Sequence, residues 1–315
     1  MYNRNSDLIS RKKMKSFKLI VIFFFCSIYV FSQNYVDVLK VYASTTPYNK
    51  FDSSTSKTRI NEVFADLTIP IKINDKFTLI SGIIYENVQA KLFANENIKT
   101  FGSTTVKVGC DKHFNETWSG TLVLLPKIAS DYVKIQSKDY QIGGIAYMKY
   151  KKQTNLNYRF GFYYNNELFG PLFVPLVGVY YLSPNKKFEA TFMLPLQADM
   201  NYKIASFLSV GLNFNGQIRT YHLTDITPAY PSTYVSRVAD EFYSYLKFNV
   251  GKNFIIQTKL GQSIARSYRV YNDNDKVTLG LPVIYIGHKR QQLNSDFSNG
   301  LIFQVALIYR FNLDK

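Results

Sequence analysis

Taken two residues at a time, the chain separates into apolar and polar rows. The clearest row is at the C-terminal end, where Leu301, Phe303, Val305, Leu307, Tyr309 and Phe311 alternate with Ile302, Gln304, Ala306, Ile308 and Arg310. Side chains of a strand point alternately to its two faces, so this segment has one greasy side and one mixed side. The same period recurs at Leu208, Val210, Leu212 and Phe214 against Ser209, Gly211, Asn213 and Asn215. Fourteen segments of about ten residues are predicted between 35 and 312, among them 172–183, 187–199, 206–221, 234–250, 253–268, 276–287 and 299–312. Turn-like pairs such as Asn74-Asp75 and Thr154-Asn155 separate them.

Dyad alternation in roughly ten-residue segments is the signature of a transmembrane β-barrel. A soluble sandwich would turn mostly Lys and Glu to water on its polar side. Here that side carries Gly, Ser, Asn, Gln, Thr and Tyr, which suits a hydrated, confined lumen. The expected fold is therefore all-β, a single antiparallel up-and-down barrel of fourteen strands. The connections alternate long and short through the first seven strands, at 45–58, 74–75, 91–99, 113–116, 129–138 and 152–155. Then 184–186 and 200–205 are both short, and 222–233 is long where a short link is due. One segment is misassigned on this reading, so twelve strands stands beside fourteen.

The N-terminus adds the compartment. Met14 begins a secretory signal with Lys15 and Lys18 as its basic region and Leu19 to Phe31 as its apolar stretch. Thirteen residues are too few to span a bilayer core of about 30 Å. Cleavage is expected after Ser32, which makes 1–32 a signal peptide and 33–315 the barrel. The first strand then starts close to Gln33, leaving no room for an N-terminal plug. Cys110 alone remains, so no intrachain disulfide and no paired-cysteine zinc site is expected.

The processed chain keeps 32 basic and 21 acidic residues, a net of +11. With a secretory signal and no run of like charge, nucleic acid is not an expected partner. Outer-membrane lipid and lipopolysaccharide are, through basic residues near the rims. The alternation turns Lys107, Lys127, Lys149, Arg159, Arg219, Lys247, Lys259 and Arg310 into the lumen, opposed by Asp66, Glu86, Asp111, Glu189, Asp199 and Glu241. Asn213, Asn215, Gln217 and Gln304 complete the lumen-facing candidates. Eight bases against six acids is a slight excess, of the kind by which charged pore walls select ions.

Catalytic signals are thin. Of His113, His222 and His288, only His222 has hydroxyl and carboxylate neighbours (Thr220, Thr224, Asp225), and a solvated loop histidine is the plainer reading. Asp273-Asn274-Asp275 lacks the Gly and distal Glu of a calcium loop and reads as a polar turn. No cofactor, metal or catalytic residue is expected.

Three stretches carry a resemblance: Val30-Phe31-Ser32-Gln33, Tyr180-Tyr181-Leu182-Ser183-Pro184-Asn185-Lys186-Lys187-Phe188, and Leu307-Ile308-Tyr309-Arg310-Phe311. They are similar to uncharacterised Gram-negative outer-membrane β-barrel proteins grouped under a domain of unknown function. The resemblance implies a bacterial outer-membrane barrel and brings no functional residue with it. Two functions are compatible with this reading. One is a passive, porin-like channel for small solutes, anions among them; the other is a closed structural or secretion-associated barrel that anchors an envelope protein partner. A barrel hydrolase built on His222 is a distant third.

Overall fold

The computed structural model describes residues 35–227 and 230–312. The signal segment 1–32 lies outside them. The strands are β1 (Tyr35–Lys50), β2 (Lys57–Asn74), β3 (Phe77–Ala90), β4 (Lys99–His113), β5 (Trp118–Ser130), β6 (Tyr140–Gln153), β7 (Leu156–Glu167) and β8 (Gly170–Leu182). They continue as β9 (Phe188–Leu194), β10 (Gln197–Lys203), β11 (Leu208–Thr227), β12 (Tyr230–Val250), β13 (Phe254–Ser263) and β14 (Ser267–Asn272). Last come β15 (Leu279–Gly280), β16 (Tyr285–Ile286) and β17 (Leu301–Asn312).

Each strand from β1 to β13 pairs antiparallel with the next, β13 pairs with β17, and β17 returns to β1. The ring is closed, with fourteen staves, so over most of the wall neighbouring staves pair each other's backbone groups without water, as a membrane requires. The outward rows are apolar: Leu301, Phe303, Val305 and Leu307 are all exposed, while Ile302, Gln304, Ala306 and Ile308 behind them are buried. Trp118 packs tilted against Tyr150 and Phe254 against Tyr309 near the short-turn end; Phe162 stacks on Phe173 towards the other. Aromatic girdles at the two interfaces are expected of a membrane barrel.

The count of fourteen is right, but two segments are not as expected. The segment 187–199 is two staves, β9 and β10, joined at Pro195-Leu196. The segment 276–287 is no stave, since β15 and β16 form a two-residue-a-side hairpin inside the 273–300 loop. The β9–β10 hairpin also repairs the alternation. All six turns at one end are short (75–76, 114–117, 154–155, 183–187, 204–207, 251–253), the pattern that outer-membrane barrels show on their periplasmic side. Loop length misled because two connections at the outer end, 168–169 and 195–196, are tight as well.

Gly211 illustrates how closely the inner face is packed. A Cβ there would stand 2.2 Å from Cζ of Tyr245, whose hydroxyl reaches across to donate to Asp199 at 3.0 Å. Gly211→Val is expected to push the ring aside and cost about 1–3 kcal/mol, read as a lower urea midpoint for the detergent-folded barrel.

Candidate functional site: a sheet folded into the outer lumen

The strands β11 and β12 are 20 and 21 residues long, while β9 and β10 have seven each. The Gly216 amide, donating to Leu196 C=O at 2.8 Å, is the last bond of β11 to its wall neighbour. Beyond it, the outer halves of β11 and β12 leave the wall and cross the lumen, with β14 paired on their far side. The result is a three-stranded sheet that touches the opposite staves. His222 bridges to Ser130 at the outer end of β5.

One face of this sheet carries Arg219, Tyr221, Leu223, Val235, Arg237, Tyr268 and Val270, as the cross-strand pairs dictate. Its apolar members pack on Phe51, Val88, Leu92 and Phe101 of the β1–β4 side. Its polar members meet two carboxylates. Arg237, 1 % exposed, donates to Glu86 and to Glu62, each at 2.7 Å, and Tyr221 donates its hydroxyl to Glu86 at 2.7 Å. Arg219 pairs with the same Glu86, and Tyr42 donates to Glu62. The other face carries Ile218, Thr220, His222, Tyr234 and Tyr271, against Phe169, Leu172, Val174, Leu176 and Met193 of β8 and β9. There the Thr220 amide donates to Glu167, which also pairs with Lys127 at 3.3 Å.

At the outer rim, beyond the apolar band, His222 is fully buried, not a solvated loop residue. Its Nδ1 lies 2.7 Å from Asp139, its Nε2 lies 3.1 Å from Ser232 Oγ, and Asp273 stands 3.6 Å from Nε2. The order Asp–His–Ser has the outline of a nucleophilic triad, and the sequence pointed to His222 without finding Ser232 or Asp139. A second carboxylate changes its chemistry. Ser232 donates its hydroxyl to Asp273, which Lys138 also binds at 2.6 Å. A hydroxyl held by a carboxylate is not handed to the imidazole. The Asp273 carboxylate first, and Asp139 with it, hold His222 above its usual pKa despite burial, which favours the protonated imidazole over the free base. Asp273 is held below the usual carboxylate range against burial by its bonds from His222, Lys138 and Ser232. The cluster is a latch between the sheet, the β5–β6 loop and the 273–300 loop. Asp273 is its central carboxylate, bonded to Ser232 and Lys138.

The candidate lumen residues fall in two places. Side chains of Lys107, Lys127, Lys149, Arg159, Asn213, Asn215, Lys247, Lys259, Gln304 and Arg310 lie on the inner face of the wall by register. Gln217 and Arg219 belong to the sheet that crosses the lumen. The six acids also lie inside, and four bases are matched by carboxylates: Lys107 by Asp66, Lys127 by Glu167, Arg219 by Glu86 and Arg310 by Asp37. Lys259 donates to Asn213 at 2.6 Å. At the periplasmic end Tyr35 donates across the ring to Glu189 of β9 at 2.9 Å.

A family model described as a domain of unknown function, DUF6268, matches residues 28–278. No curated protein matches. Among solved structures the chain is similar to an outer membrane channel from Pseudomonas putida F1, at 10% identity over 87% of this chain and 94% of that one, with a TM-score of 0.45. It is similar to the NanC porin, at 10% identity over 86% and 98% with a TM-score of 0.34. A monoaromatic hydrocarbon channel, TodX, gives 10% identity over 87% and 89% with a TM-score of 0.39.

Proposed function

The chain belongs to the DUF6268 family, a domain of unknown function, and from its geometry we propose an outer-membrane channel for small solutes whose outer mouth is shut by its own folded-in sheet. The observation that carries this reading is the way the sheet is held. Guanidinium, carboxylate, phenol and imidazole groups join it to the opposite wall, around Glu62, Glu86 and Glu167. Buried ion pairs are weak glue compared with apolar packing of the same volume, yet they set one specific docked arrangement. That suits an element with a second position. With Lys107, Lys127, Arg219 and Arg310 each matched by a carboxylate, selectivity for anions draws little support from charge count.

In planar bilayers the full chain is expected to rest closed with rare openings. Glu62→Gln together with Glu86→Gln removes the carboxylates nearest Arg237 and Arg219, leaving Arg237 only the more distant Glu241 at 3.9 Å, and is expected to raise the open fraction by about tenfold or more. A folded, heat-modifiable barrel that never conducts, in either form, overturns the channel.

A second reading, a closed barrel that anchors an envelope protein partner, is favoured by the two apolar clusters that clasp the sheet from both sides. Co-purification of a stable partner with the never-conducting barrel is its expected outcome.

A further inference from the structure

The wall is incomplete on one side. Seven residues at about 3.3 Å each, tilted about 40°, climb only about 18 Å, while the apolar band of such a barrel is about 25 Å tall. The β9–β10 hairpin therefore ends below the outer edge of the band. Above it, β8 from Gly170 to Leu176 has no stave beside it, because Val177↔Leu194 is its last pair with β9 and β11 has already turned inward. The lipid-facing positions of this stretch, Pro171, Phe173 and Pro175, are apolar, so the gap opens at membrane depth.

The bare edge is treated in two ways. Leu182 N–H donates to Asn155 on the β7 side and Ser183 N–H to Phe188 on the β9 side. By that alternation the odd-numbered residues of β8 point their amides at the gap. Two of them, Pro171 and Pro175, have no amide to leave unpaired, the usual way of blunting a strand edge. The rest of the edge is covered by the 273–300 loop: Val277 N–H donates to Phe169 C=O at 2.7 Å, and β15 bridges to β8 in parallel at Gly280↔Leu172. The β15–β16 hairpin thus stands where a stave would. Its tip shows Val283 and Ile284 outward, 90 % and 61 % exposed, as lipid-facing residues of a wall would be. From inside it is held by Arg290, whose guanidinium lies over Tyr271, Tyr285 and Phe169 at 4.4, 4.7 and 5.2 Å.

The geometry points to a lateral portal: the β15–β16 hairpin is a shutter in the barrel wall, through which small apolar, membrane-soluble molecules pass between the lumen and the outer leaflet. The wall and loop residues behind the shutter (Leu172, Val174, Leu176, Met193, Val277) are apolar and pack with Tyr234 and Tyr271 of the folded-in sheet, and the mouth above is closed by that sheet, so the sideways route along this apolar seam is the one a hydrophobic solute can use. This inference rests on the channel reading and names its solute class.

Two measurements test it. In a Trp118→Phe background, Val283→Trp is expected to be quenched by brominated phospholipid and protected from iodide; quenching by iodide alone overturns the placement. In Gram-negative cells expressing the full chain, Val283→Asp with Ile284→Asp draws the hairpin towards water. Uptake of N-phenyl-1-naphthylamine is expected to rise several-fold over the unsubstituted protein. Uptake at the empty-vector rate by both proteins, with ionic conductance intact in bilayers, overturns the portal and leaves the channel standing. Loss of conductance as well removes both.

Discussion

Arg237→Met is expected to release the folded-in sheet. The guanidinium is the largest fully buried side chain, and it answers Glu62 and Glu86 together. Removing one partner of a buried ion pair strands the other in a low-dielectric interior, at about 3–5 kcal/mol. Here Glu62 is left with the Tyr42 hydroxyl and no cation, while Glu86 keeps Arg219 and the Tyr221 hydroxyl. The expected result in bilayers is a channel open most of the time. Limited proteolysis should cut within β11 and β12 while the β1–β8 wall stays protected. Arg237→Met combined with Glu62→Gln removes the carboxylate left without a cation, keeps Glu86 paired with Arg219, and is expected to restore closure. If Arg237→Met is as closed and as protected as the parent, the apolar clusters alone hold the sheet, and the closed-barrel reading gains.

Raising the pH is the second large effect. His222 is held above its ordinary value, so the stability it lends the docked sheet is complete below about pH 6.5 and is lost as pH rises through the docked-state value. Asp273 is held below its ordinary value, so its contribution is complete above about pH 3.9 and is lost as pH falls through its own docked-state value. The latch is therefore fully engaged between about pH 4 and 6.5. Conductance is expected to rise as the outer solution is made alkaline, and His222→Gln should flatten that dependence. An alkaline response that survives in His222→Gln would assign it to another group.

The alternation of Leu301–Phe311 and of 208–215 was enough to place a barrel, because an outward apolar row and an inward polar row leave a period of two wherever a stave meets lipid. What was hidden follows from the same regularity. Leu194-Pro195-Leu196 has apolar residues on both sides of its turn and no Gly, Asn or Asp, so a hairpin there reads as one continuous strand. Val277 to Ile286 looks strand-like because its side chains fill a place in the wall, although its backbone pairs for only two residues a side. Residues 217–240 alternate whether they stand in the wall or cross the lumen, since a sheet buried on both faces still has two faces. His222 drew notice for its neighbours in sequence. Its partners Asp139 and Asp273, about eighty and fifty positions away along the chain, meet it only through the fold.

The low side of the wall has a consequence for the lipid around it. A bilayer that meets a stretch of protein several ångströms too short must thin, tilt its neighbours or be covered, at fractions of a kcal/mol per Å. The β15–β16 hairpin supplies that cover. Its closed position is then favoured by the membrane as well as by the bonds to β8, and the strength of that push grows with hydrocarbon thickness. On the portal proposed above, thick, ordered lipid is expected to press the hairpin into the wall and thin lipid to let it go.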